Sequence, residues 1–139
     1  MSLIISEDNL KSGINEGVVK ALNNKQVNMY EARLQSICFT WHWNSFPSER
    51  GRLFMVYNNP NNRIEGAVLK GMGMVPGVSD LIYLFKDEWK ISPSVKFLEC
   101  KLPGCKQDKE QIKFESMVKM LGFGYYLFHS LDEFKLLIL

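Results

Sequence analysis

The chain has 139 residues, 46% of them hydrophobic and 23% charged, with a formal net charge of +2. That length fits one domain with a core that needs no staples, and the composition excludes a disordered or fibrous chain. No apolar run reaches the roughly 20 residues needed to span a bilayer, and residues 1–6 carry neither a basic segment nor a cleavage site, so no secretory signal is expected. The cysteines are Cys38, Cys100 and Cys105. An odd, small set of thiols without a signal points to a reducing, cytoplasmic setting.

Leu10, Ile14, Val18 and Leu22 recur every four residues and predict a first helix over 7–24, weakened by Gly13 and Gly17 and ended by Asn23 and Asn24. A second helix is predicted over 29–43, where Leu34, Ile37, Cys38 and Trp41 mark an apolar face. Glu31 falls on that inward face. It is either a charge favoured by the helix N-terminus or a functional group. Cys38 and His42 share a face at i,i+4, but a four-ligand zinc site from such scattered residues is not expected, and Cys38 and Cys100 read as small core residues. Residues 52–57 read as a strand, 58–62 as a turn and 65–72 as a short helix. Strands follow over 77–85 and 94–101, with a turn at 86–90 between them. Phe114, Met117, Val118 and Leu121 form the stripe of a third main helix that Gly122 stops. Asp108 and Gln111 have the spacing of a capping box at its start. A strand over 124–129 and a helix over 131–139 complete the chain. Strands and helices alternate after residue 52, so the fold class is α/β, a mixed central sheet flanked by helices in a single domain.

The chemistry concentrates in the second half. Asp80 closes Gly73-Met-Val-Pro-Gly-Val-Ser-Asp80, and Glu99 and Lys101 lie two apart in Val95-Lys-Phe-Leu-Glu-Cys-Lys101. A strand alternates its faces, so Glu99 and Lys101 point the same way. Burying such charges without partners is costly. If the two strands are neighbours, Asp80 and Glu99 reach one hard cation. The Cys100 carbonyl between Glu99 and Lys101 is a natural third oxygen for Mg²⁺ or Mn²⁺. Lys101 then sits where it can orient a water or offset charge on a phosphoryl oxygen. Gln111, on the buried side of its helix near the start, either holds this site or only caps Asp108. Taken alone, the Asp…Glu-x-Lys triplet also fits a salt-bridged pair at a sheet edge.

The flanking residues add to this. Gly73-x-x-x-Gly77-Val-Ser-Asp80, Phe97-Leu-Glu-Cys-Lys101-x-Pro-Gly104, Gln111-x-x-Phe114 and Leu121-Gly122, in this order, resemble the VRR-NUC (virus-type replication-repair nuclease) family of the PD-(D/E)XK nuclease superfamily. The resemblance spans residues 29–133, and the tail Ser130-Leu-Asp-Glu-Phe134 is similar to the family's C-terminal end. It implies a restriction-endonuclease-like core over 29–139, preceded by an N-terminal helical extension over 1–28. It also implies a Mg²⁺- or Mn²⁺-dependent DNA endonuclease acting on branched or other structured DNA in phage or bacterial replication or repair. Asp80 and Glu99 then match the metal-binding acids, Lys101 the motif lysine and Gln111 the glutamine that follows. Glu31, with Gln35 one turn on, matches an acidic residue of the first helix. Ser79 departs from the family's usual Pro, which would stiffen the turn before Asp80.

Lys96, Lys101, Lys106, Lys109, Lys113 and Lys119 crowd one stretch and suit DNA phosphates, or simply a solvated helix face. A four-way junction has two symmetric scissile positions, which a two-fold homodimer matches. Trp43, Phe46 and Trp89 are either exposed aromatics of such an interface or plain core residues. Two other classes stay open: a non-cleaving DNA-binding or assembly protein on a nuclease fold, and a structural protein whose acids form ion pairs.

Overall fold

The computed structural model describes residues 5–86 and 92–139. Along the chain come α1 (Glu7–Ser12), α2 (Glu16–Lys20), α3 (Asn24–Ser45), β1 (Leu53–Met55), α4 (Arg63–Gly71), β2 (Leu81–Lys86), β3 (Pro93–Cys100), α5 (Lys109–Met120), β4 (Gly124–Phe128) and α6 (Leu131–Ile138). The four strands form one mixed sheet in the order β1-β2-β3-β4. The first three pair antiparallel, and β4 lies parallel to β3. Parallel neighbours need a crossover, and α5 supplies it.

The single helix expected over 7–24 is two helices. The chain turns at Gly13 with φ +127, a conformation that L side chains rarely adopt. Asn15 then caps α2 through its side chain. Asn23 is a start and not a stop. Its side-chain oxygen takes the Gln26 N–H at 2.9 Å while Gln26 Oε1 takes the Asn23 N–H at 3.0 Å, a complete capping box. Asparagine serves at either helix end, and only the partner three residues on tells which. Because α3 begins at Asn24, residue 29 lies inside a helix. Glu31 lies two turns in, beyond the reach of an N-terminal charge effect. Beyond Lys86, the turn expected at 86–90 falls outside the described residues.

Strand alternation divides the core in two. Leu81, Tyr83, Leu98, Cys100 and Phe128 face one side with Leu34 and Cys38 of α3, Phe134 of α6 and Leu10 of α1. Ile5 and Val19 join the same cluster, so the N-terminal helices share the main core. Phe97, Tyr125 and Leu127 face the other side, against Phe114 and Val118 of α5. A second network ties α3 to the sheet: the buried His42 ring meets Glu49 Oε1 at 3.0 Å, and Tyr83 donates its hydroxyl to the same oxygen at 2.6 Å. His42 is therefore engaged with a carboxylate and not with Cys38. Among the described residues no helix is long and apolar enough to cross a membrane.

Candidate active site

The site lies where β2 begins and β3 ends. In the antiparallel register Leu81 pairs with Leu98, which sets Asp80 opposite Glu99. Asp80 is not inside a strand as expected from 77–85; β2 starts one residue later, because Gly77 turns the chain at φ +81. A Cβ on Gly77 would collide with the Glu110 carbonyl in the first turn of α5, so a glycine is what lets this loop seat against that helix. Two bonds fix the loop: Asn58 donates to the Val78 carbonyl at 3.0 Å, and the Val56 N–H to the Asp80 carbonyl at 3.0 Å. Ser79 is fully buried, and its hydroxyl donates to the Leu81 carbonyl at 3.1 Å. That local bond restrains the turn where a proline ring would stiffen it.

Asp80 Oδ2 accepts the Cys100 N–H at 2.8 Å. In a strand the N–H and C=O of one residue leave the backbone on the same side. The Cys100 carbonyl thus faces the Asp80 side, while the Lys101 N–H turns the other way, to the Phe128 carbonyl at 3.1 Å. Glu99 is 2% exposed. Its Oε1 accepts from Gln111 Nε2 at 2.9 Å and has Lys101 Nζ at 3.8 Å. Its Oε2 is buried without a hydrogen-bond partner. Glu31 approaches from α3. Its Oε1 accepts the Leu102 N–H at 3.1 Å, and its backbone carbonyl receives the Cys100 thiol at 3.5 Å. Asp80, Glu99, Lys101, Gln111 and Glu31 are therefore brought to one end of the sheet, on the strands, helix and loop that the motif residues belong to.

The electrostatics follow from burial and from three acids close together. Loss of solvent pushes the Glu99 carboxyl up to about 8, and the neighbouring Asp80 charge adds to this, opposed by Lys101. Asp80 is raised by burial, with the Cys100 N–H, Lys101 and a shared hydrogen bond with Glu99 pulling it back. Glu31 is raised by burial too, against the Leu102 N–H and Lys101. An ionised Glu99 is eased by the Asp80 N–H and by Lys101, but its Oε2 is left without a hydrogen bond. A proton there lets it bond to Asp80; a cation between the two serves both acids. The Cys100 thiol lies in the main core, on the sheet face opposite to Glu99; burial first, and the charges of the nearby acids second, hold it protonated well above its ordinary range, so it is a poor nucleophile.

Do these residues fit Mg²⁺ or Mn²⁺? The donors are oxygens, two of them from facing carboxylates, one of which is buried and unpartnered, with a backbone carbonyl beside them. Mg²⁺ takes such a partial set and keeps several waters. Among the described residues no group of three His, Cys, Asp or Glu side chains is gathered as a ready metal cage. Glu31 is tied to Leu102 and borders the pair. The Asp80–Glu99 pair with the Cys100 carbonyl is the set that fits.

Spacing alone left Gln111 either a cap or a site residue; it caps α5 and also bonds to the buried Glu99. Its N–H donates to Asp108 Oδ1 and its Oε1 accepts the Asp108 N–H, both at 2.9 Å, which leaves Nε2 for Glu99. Gln107 was not singled out by the pattern; it donates to the Tyr125 hydroxyl at 3.2 Å and anchors the loop before α5. Of the crowded lysines, Lys106, Lys109 and Lys113 are exposed around the start of α5. Lys96 donates to the Leu137 carbonyl at 2.7 Å and lies over the Phe85 ring, and Lys119 pairs with Glu115 at 3.3 Å. The chain matches no family model, no curated protein and no solved structure.

Proposed function

We propose that the chain is a divalent-cation-dependent phosphodiesterase and, within that class, a Mg²⁺- or Mn²⁺-dependent DNA endonuclease of the VRR-NUC type. The observation that carries this reading is Glu99: a carboxylate at 2% exposure with one unpartnered oxygen, set against a second acid, a lysine and a glutamine. A structural ion pair has no use for a second acid there, which only raises the cost of burial. The mixed sheet with helices on both faces supports the restriction-endonuclease-like core that the motif order implies.

Asp80, Glu99 and the Cys100 carbonyl would hold the cation. When bound, it supplies Lewis acidity toward a phosphoryl oxygen and makes water more acidic. The chain's own residues do the rest. Gln111 fixes the rotamer of Glu99. Lys101, at 13% exposure, holds a positive charge beside the acids, where negative charge builds on the phosphoryl group. Glu31 borders the pair from α3 and adds negative charge that favours cation uptake. The protonated Cys100 thiol argues for direct hydrolysis over a covalent enzyme intermediate. Lys106, Lys109 and Lys113 suit phosphates on either side of the cut, with a strong salt dependence and no sequence preference. We place this chemistry on branched or otherwise structured DNA, as the resemblance implies, and in the reducing cytoplasm that the small, odd set of cysteines suggests.

A non-cleaving DNA-binding protein on the same fold is the second reading. Lys106, Lys109 and Lys113, exposed around the start of α5, would serve it without any cation. Cleavage of labelled linear, flapped and four-way DNAs in Mg²⁺ or Mn²⁺ decides between them. Cation-dependent cuts that EDTA abolishes support the nuclease. Binding to the same DNAs without cuts in either metal supports the second reading.

A further inference from the structure

We propose that the groove between α3 and the edge strand β1 holds unpaired bases of the DNA strand being cut, so that the substrate carries a single-stranded arm beside the scissile phosphate. This rests on the nuclease reading above and adds to it where the strand runs. Glu31, Gln35, Phe39 and Trp43 stand four apart in α3, so they form one row along the helix. The row begins at the acid that borders Asp80 and Glu99. It ends about 18 Å further on, at 1.5 Å per residue, with a tryptophan that is 40% exposed.

Gln35, Phe39 and Trp43 bound one side of a groove of about 530 Å³, and Phe54 of β1 and Leu81 of β2 bound the other. Leu81 directly follows Asp80 and pairs with Met55 across the strands, so the groove opens onto the candidate site. Phe54 is 40% exposed, and among the described residues its ring meets no other ring. The Phe39 and Trp43 rings lie 5.8 Å apart, tilted by 30°. Aromatic surfaces of this kind take the flat face of a base. A paired base has its faces covered inside the stack and cannot reach them, so the groove selects an unpaired strand.

The charge around the groove complements a DNA strand. Among the described residues no acid lines it. At its far end Arg50 donates through Nε to the Trp43 carbonyl at 3.0 Å and lies 4.8 Å over the Trp43 ring. That holds the guanidinium in place and leaves its two terminal nitrogens for a phosphate. Ser36 and Thr40 are shared with a second groove along α3, where Lys11, Arg33 and Lys135 stand against Glu7 alone. Bases on an aromatic side and phosphates on a cationic side are how sites for single strands are built. A peptide or a second copy would use the apolar groove but not the cations around it. The exposed lysines around the start of α5 belong to the other face of the sheet. Duplex phosphates are met there and the unpaired arm beside α3, with the Asp80–Glu99 pair between them.

Binding measured in EDTA tests this without any need for cleavage. At fixed salt, fluorescence anisotropy with the full chain should show a labelled splayed fork bound more tightly than a blunt duplex of equal length. Trp43→Leu and Phe54→Ala should each weaken fork binding about 5- to 150-fold, the range for one lost stacked base, and leave the blunt duplex unchanged. Trp43→Phe keeps a stacking face and should recover most of the loss, whereas a tryptophan that only fills space would be replaced as well by leucine. An iodouracil-bearing oligothymidylate irradiated with the wild-type chain should cross-link to the segments that carry Trp43 or Phe54. Fork binding no tighter than duplex binding, equal losses on both DNAs, wild-type fork affinity in both variants, or cross-links confined to other segments would each overturn the inference. Absence of cleavage with these binding results intact would remove the nuclease reading and keep the groove as a single-strand site. Cleavage with both groove variants binding the fork as wild type does would remove the groove and keep the nuclease.

Discussion

Gln111 and Glu99 are joined by a 2.9 Å hydrogen bond between residues twelve apart in sequence, one at the start of α5 and the other near the end of β3. The same amide closes the α5 capping box through its oxygen. Helix start and buried acid are thus held by one side chain, and moving α5 moves the acid.

This coupling makes Gln111 separable by substitution. Gln111→Ala loses the reciprocal cap, worth about 1 kcal/mol, and leaves Glu99 Oε1 short of a donor, worth about 1–3 kcal/mol. Gln111→Glu keeps the cap geometry but sets a third carboxylate against Glu99. Urea denaturation should show a loss of about 2–4 kcal/mol for Gln111→Ala. Gln111→Glu should match wild type near pH 5 and fall below it near pH 8. Equal losses for both variants at both pH values would mean that only the cap matters.

The metal-free protein should lose stability as pH rises. Glu99 has its carboxyl raised from 4.5 to about 8 in the folded chain. Below 4.5 both folded and unfolded chains carry the proton, and the favourable contribution is complete. Between 4.5 and about 8 the unfolded chain gives up its proton while the folded chain retains it, so the contribution declines and is gone above about 8. Asp80 and Glu31 are raised as well and act in the same direction. Mn²⁺ displaces these protons, so its affinity should climb over the same window and its stabilisation should be largest at the alkaline end. Thermal melts from pH 5 to 8.5 in EDTA and in Mn²⁺ test this. Glu99→Gln should flatten the EDTA profile.

Much of the site was legible because strand alternation and short spacings are local rules. Glu99 and Lys101 had to share a face, and Asp108 to Gln111 had to be able to cap. The helix break at Gly13 was visible as a glycine but not as a break, since a four-residue apolar repeat continues across it. Asn23 was read as an end because an asparagine alone does not say which side the helix lies on. The His42–Glu49–Tyr83 network joins residues up to 41 positions apart through tertiary packing, and no spacing rule reaches it. A short helix over 65–72 was legible, yet such a reading does not tell which way its faces point. That direction depends on Gly66 seating against Pro60.

Gly77 is the second test of the loop that carries Asp80. Gly77→Ala meets both a positive φ and the Glu110 carbonyl, which is backbone and cannot step aside. Gly73 has φ +109 with open space around it. Gly73→Ala should therefore cost only the conformational term, about 1–2 kcal/mol. Gly77→Ala should cost clearly more, and it should weaken Mn²⁺ binding because Asp80 follows three residues later. Similar losses in the two variants would show that the close approach to α5 is unimportant.

Asp80 and Lys101 should separate cation binding from the chemical step. Asp80→Asn keeps an oxygen for the Cys100 N–H, so the fold should hold, but it removes one of the two charges that face a cation. Mn²⁺ affinity by titration calorimetry should fall sharply, and cleavage should disappear. Lys101→Ala removes a charge that lies 3.8 Å from Glu99 and is no oxygen donor. The cation should still bind, while cleavage should drop on the order of 10²–10³-fold, the cost of losing one group that stabilises charge in a transition state. DNA affinity at fixed salt should change little in either variant, because Lys106, Lys109 and Lys113 remain to meet the phosphates. Wild-type cleavage rates in Lys101→Ala, or undiminished Mn²⁺ affinity in Asp80→Asn, would remove these residues from the roles assigned to them.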